Sequence, residues 1–120
     1  MTSFESAMKT ILEAMSWTNY GSCPPIHVGE IISRKAGTKT SIRIKGVDTD
    51  TEEYQDFTGS IIAEVQTGTI EGRSSKETDT DNIELDLRTE LPDQGCSIKN
   101  IDRSIKKNKY RFEMTIERIE

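Results

Sequence analysis

The side chains with the widest chemical repertoire are few. His27 is the single histidine, Cys23 and Cys96 are the two cysteines, and Asp48, Asp50 and Glu52 stand at alternate positions of an acidic stretch. A thiol nucleophile needs an imidazole within reach to take its proton. Cys23 is four residues from His27, but Pro24 and Pro25 between them impose an extended backbone, which argues against such a pair. The lone histidine has no second imidazole with which to share a proton or a metal and reads as a surface or packing residue. Two cysteines some seventy positions apart also lack the paired spacing of a zinc site. They read first as reduced thiols, with a Cys23–Cys96 disulfide as the alternative.

Asp48, Asp50 and Glu52 match positions 1, 3 and 5 of a calcium loop. Position 6 is Glu53 where the turn needs glycine, and position 12 is Gly59 where a bidentate glutamate belongs, so the match fails at both diagnostic places. Carboxylates are abundant, but abundance carries no specificity for acid–base work. No glycine-rich phosphate loop, nucleophile elbow or dinucleotide fingerprint is present. The expectation is a protein without catalytic residues, cofactor or metal.

Charge is distributed in blocks. Residues 34–45 carry Arg34, Lys35, Lys39, Arg43 and Lys45 with no acid, and residues 99–111 carry Lys99, Arg103, Lys106, Lys107, Lys109 and Arg111 against Asp102 alone. Each block is net +5, whereas residues 48–90, with acids from Asp48, Asp50, Glu52 and Glu53 to Glu90, are net −10. The chain as a whole is −5. One consequence is a solvated mixed-charge surface; another is a pair of complementary faces that steer subunits or partners together. Tyr110 between Lys109 and Arg111 has the look of a nucleic-acid stripe. Its parity places it with Phe112, Met114 and Ile116, and the acidic middle would repel phosphates.

The elements that must position these residues follow from periodicity. Phe4, Met8, Ile11, Leu12 and Met15 share one helical face, with Thr2 and Glu5 in the form of a capping box and Gly21 suited to the exit. Residues 26–32 and 40–47 read as two strands joined by a hairpin turn at 35–38, with Gly29 marking a bulge or close approach. Residues 48–56 read as an acidic connection and 57–67 as a further strand. The polar run 68–82 reads as a mobile acidic loop. Residues 83–91 fit both alternation and a helix stopped by Pro92, and the helix is preferred. Residues 96–105 and 109–119 form a final hairpin around Lys107 and Asn108.

These elements predict one α+β domain over residues 1–120: an N-terminal amphipathic helix on a mostly antiparallel twisted sheet, with a second short helix before a C-terminal hairpin. The apolar fraction is 32%, about 38% with the eight glycines, against roughly 45–50% in ordinary soluble domains. A core this thin suggests help from neighbouring subunits. The N-terminus has a stripe, not a continuous apolar run, so neither a secretory signal nor a membrane span is expected there.

That order of elements resembles the small α+β subunits of long-tailed phage necks, and most closely the tail-terminator (tail-completion) proteins. The resemblance implies a non-enzymatic virion protein, made in the host cytoplasm, that forms a homo-oligomeric ring, a hexamer in that family, at the head-proximal end of the tail. Its partners would be further copies of itself, the tail tube and the head–tail connector, without membrane or nucleic acid. The charge blocks then supply an interface hypothesis. Arg34, Lys35, Lys39, Arg43, Lys45, Lys106, Lys107, Lys109 and Arg111 would face Asp48, Asp50, Glu52, Glu53 and the rest of the acidic segment on a neighbour. The alternative is a small phage-encoded cytosolic inhibitor that binds a host defence protein through its acidic surface.

Overall fold

The structure is a computed structural model that describes residues 3–29, 40–55, 61–106 and 109–119, with the backbone alone for 47–55, 61–64, 106 and 119. Helix α1 spans Phe4–Ala14 and presents Phe4, Ala7, Met8 and Leu12 to the core. Its cap is Ser3, whose hydroxyl accepts from the Ser6 N–H at 3.2 Å; Thr2 of the expected capping box lies outside the described residues. The helix stops at Ala14, well before Gly21, because Met15 is already extended and Trp17 takes a positive φ of 51°. Gly21 instead closes the turn after Trp17.

Among the described residues five strands make one sheet in the order β1-β2-β3-β5-β4: β1 Ile26–Val28, β2 Ser41–Gln55, β3 Ile61–Ser74, β4 Cys96–Lys106 and β5 Lys109–Ile119. The fold class is α+β and the sheet is mostly antiparallel, as the pattern implied, with one parallel pair that makes it mixed. β1 runs parallel to β2, with Ile26 opposite Ile42 and Val28 opposite Ile44. The two are therefore not the arms of a hairpin, since a tight turn only joins antiparallel strands; the expected turn at 35–38, with Ile31 and Ile32 before it, falls outside the described residues. Gly29 ends β1 with φ +83°, its N–H donating to the Ile44 carbonyl.

The largest correction concerns residues 68–82, which are not a loop. β3 continues through Gly68, Ile70 and Gly72 to Ser74, and helix α2 spans Glu77–Glu90. These two strand positions are glycine because a methyl group at either would overlap an aromatic ring, that of Phe4 at Gly68 and of Phe112 at Gly72. The alternation is thus glycine and isoleucine inward, Thr67, Thr69, Glu71 and Arg73 outward. Likewise the expected acidic connection from 48 runs within β2 as far as Gln55.

α2 settles the ambiguity at 83–91. Ile83, Leu87 and Leu91 are fully buried while Leu85 is 46% exposed, which is helical and not strand periodicity. It begins at Glu77, ahead of residue 83, with Glu77 and Asp79 in the first turn where carboxylates favour the helix dipole. Pro92 opens a short 3₁₀ turn, Pro92–Gln94, that leads into β4. Both helices lie on one face of the sheet. Their apolar residues join Ile42, Ile44, Ile70, Phe112, Met114 and Ile116 in one cluster sealed at its end by Trp17. Tyr110, expected among them, is only partly covered.

The β2–β3 pair outgrows the rest of the sheet. β5 ends opposite Val65, whereas β2 pairs with β3 as far as Gln55 opposite Ile61. Beyond a register shift between Gly46 and Thr51 the β2–β3 pair continues, and its last three pairs, from Glu53 opposite Glu64 to Gln55 opposite Ile61, project past β5 as a two-stranded ribbon. From Arg73 opposite Ser41 to Ile61 opposite Gln55 the pair covers roughly 40 Å at about 3.3 Å per residue, the larger part of the 55 Å long axis. The radius of gyration is 15.2 Å, where roughly 14 Å is usual for a compact chain of this length.

Candidate interaction surface

Strand parity sorts the side chains of the sheet into a face under the helices and a polar face that no described element covers. Register places His27, Arg43, Glu71, Glu113 and Asp102 in one row across all five strands. The next row holds Ser41, Arg73, Arg111 and Ser104, and the row on the other side Lys45, Thr69, Thr115 and Asn100. Such a face is solvated or is met by a partner; it holds no core.

Its centre is Glu71, 5% exposed although it points away from the apolar core. Oε2 of Glu71 accepts from Arg43 Nη2 at 2.9 Å and from Arg111 Nη2 at 2.5 Å. Glu71 also lies directly opposite Glu113, a repulsive placement for two carboxylates. Arg111 resolves it by bonding to Glu113 as well, at 3.1 Å. The Glu71 hydrogen bond is the main cause that pushes the Arg111 guanidinium above its ordinary value, so the bridge stays cationic at any physiological pH. Arg73 sits opposite Arg111 and has no ion pair among the described residues. In the same corner Ser41 is 3% exposed with an unpartnered hydroxyl, and Nε of Arg43 is buried and unpartnered too.

Of the residues singled out from the sequence, Arg43 and Arg111 are therefore brought together from the two basic blocks, on an acid of the same chain. Lys45 and Lys109 are exposed on β2 and β5. Asp48, Asp50, Glu52 and Glu53 lie along the β2 arm of the ribbon, and Lys106 ends β4. Arg34, Lys35, Lys39 and Lys107 fall outside the described residues. Sequence reading missed Glu71 because it fell in the supposed loop. The Gly-x-Ile-x-Gly alternation over 68–72 was the signal that could have placed it.

Two further acids were missed, and both are structural. Asp86 is 1% exposed. Its Oδ1 accepts from the Asn19 N–H at 3.0 Å and the Asn19 amide at 2.9 Å, and its Oδ2 from the Tyr20 N–H at 2.8 Å. One turn later Glu90 accepts from the N–H groups of Ser16 and Trp17. Spaced four apart on α2, the two carboxylates hold the turn that follows α1, and Trp17 Nε1 donates to the Leu12 carbonyl at 2.8 Å.

A cleft of about 60 Å³ opens between the first turns of α2 and the β4–β5 hairpin, with Glu77, Asp81, Glu84, Arg103, Ile105 and Tyr110 on its walls. Glu84 is occupied by Arg103, in two hydrogen bonds, and no imidazole or thiol lines the space. The thiols are elsewhere. Sγ of Cys23 lies near the carbonyls of Leu12 and Pro24, and burial together with Glu13 raises its pKa, the opposite of nucleophile activation. Cys96 is buried against the Met8 sulfur at 3.8 Å, and both cysteines are free.

Among the described residues no three potential ligands converge on a metal position, and no helix is long and apolar enough to cross a membrane. What the geometry can do chemically is present fixed charge: guanidiniums and carboxylates held in register on a rigid sheet, with an acidic ribbon at one end. No protein-family model matches the chain, and no curated protein matches it.

Proposed function

We propose that the chain is a structural subunit of a ring at the head-proximal end of a phage tail, a tail terminator or neck component that acts by assembly and not by catalysis. The observation that carries this reading is the β2–β3 ribbon. A two-stranded ribbon is marginal in water by itself, and an arm that extends past a thin core is a feature that neighbouring copies cover. The resemblance in element order supplies the particular assembly; the tube and connector are the further partners it implies.

Electron microscopy of the purified protein, alone and mixed with tail tubes, tests the reading. Closed rings, or density capping the tube ends, are the expected result. Monomers that leave tubes unchanged would count against it, and a monomer or dimer that captures a host defence nuclease would favour the inhibitor instead.

A further inference from the structure

The corner formed by Ser41, Arg43 and Arg73 has more donor capacity than the chain itself uses. Arg111 is turned to Glu71 and Glu113, which leaves Arg73 without a counter-charge among the described residues. Ser41, 3% exposed, and Arg43 also keep a buried hydroxyl and a buried Nε with no acceptor among the described residues. Donors of this kind, adjacent in two rows of a rigid sheet, match carboxylates, which take several hydrogen bonds from guanidinium and hydroxyl groups at once.

The chain carries a segment of that chemistry where it cannot reach this corner. The outer part of β2, residues 47–55, and the facing residues 61–64 of β3 include Asp48, Asp50, Glu52, Glu53 and Glu64 and no base. Ser41 pairs with Arg73 and Glu52 with Val65, eight residues along β3, so the corner and Glu52 lie roughly 26 Å apart at about 3.3 Å per residue. We infer that the acidic ribbon of one copy docks on the Ser41–Arg43–Arg73 corner of the next. The contact is head-to-tail, joining two different surfaces, and repeated contacts of that type close into a ring or run on as a filament. A nucleic-acid phosphate would fit the same donors; the acidic segment is the occupant inferred because every copy carries it, and the duplex arm of the test separates the two. The inference rests on the assembly reading above and names its contact.

The test is sedimentation velocity at 50 and 500 mM salt on the wild type, Arg73→Glu, the pair Asp50→Lys and Glu52→Lys, and a chain carrying all three changes, with circular dichroism to check folding. Arg73→Gln with Asp50→Asn serves if a reversal fails to fold. Assembly of the wild type at low salt, at least tenfold weakening in each reversal and recovery in the combined chain are expected. Rings that form regardless of these changes would overturn the ribbon contact while leaving the ring reading in place. Filaments that obey the charge swap would keep the contact and overturn the ring. A wild-type monomer in all conditions would overturn both, and binding of a short duplex DNA, abolished by Arg73→Glu with assembly unchanged, would replace the ribbon with nucleic acid.

Discussion

Glu71 accepts from Arg43 across the β2–β3 pair at 2.9 Å, and the carboxylate that makes this bond is 6% exposed on a face with no apolar cover. The same oxygen holds Arg111 from β5, so one acid ties three strands. Glu71→Ala would leave two guanidiniums facing each other over an empty site. It should lower unfolding free energy by about 1–3 kcal/mol in urea titration. Arg43→Ala should cost more than Arg111→Ala, because Arg43 is 21% and Arg111 45% exposed, and solvent screens the outer pair.

The turn after α1 depends on α2. Asp86→Ala would strip three donors of their acceptor and should destabilise by about 2–4 kcal/mol. Glu90→Ala should cost less, since one of its two bonds is exposed. Trp17, at 1% exposure, reports on both, and its fluorescence in the native state should move toward that of solvent-exposed indole in Asp86→Ala.

Close packing at the strand glycines predicts a difference between two small substitutions. The three atoms nearest a methyl group at Gly72 all belong to the Phe112 ring, while those nearest one at Gly68 include the Phe4 ring and the backbone carbonyl of Lys45. Gly72→Ala and Gly68→Ala should each destabilise by about 1–3 kcal/mol. Trimming the ring tells them apart. Phe112→Leu should combine with Gly72→Ala at less than the sum of the two single losses, whereas Phe4→Leu should relieve little of the Gly68→Ala loss, because the carbonyl does not move away.

Burial raises the Cys96 thiol above its ordinary value, partly offset by Arg118. The folded state then favours the neutral thiol, so the associated stability is complete below the unfolded thiol value, about 8.5, and is lost as pH rises through the folded one. Labelling with a thiol reagent at pH 7.5 should modify the exposed Cys23 first. Cys96 should react only on unfolding, and urea midpoints should fall between pH 8 and pH 10 in the wild type but less in Cys96→Ala.

The parts of this fold legible in sequence were those whose periodicity is apolar: α1, the helix at 83–91, and the hairpin whose inner parity is Phe112, Met114 and Ile116. What was not legible had its inward positions filled by glycine. Gly68 and Gly72 leave room for rings supplied from elsewhere, so β3 looked like a loop and Glu71 vanished with it. The parallel pairing of β1 depends on Ile26 and Val28 finding Ile42 and Ile44 across a connection, and no local signal distinguishes that from a hairpin. The charge blocks were visible as blocks. That Arg43 and Arg111 converge on one acid of the same chain, leaving Arg73 over, requires the register.

Sedimentation equilibrium of the intact protein over a range of concentration, at low and at high salt, tests the central claim most directly. A closed assembly of several copies is expected at low salt, dissociating as salt rises, because oppositely charged surfaces hold it together. A monomer of 13.5 kDa at every concentration and salt would contradict it.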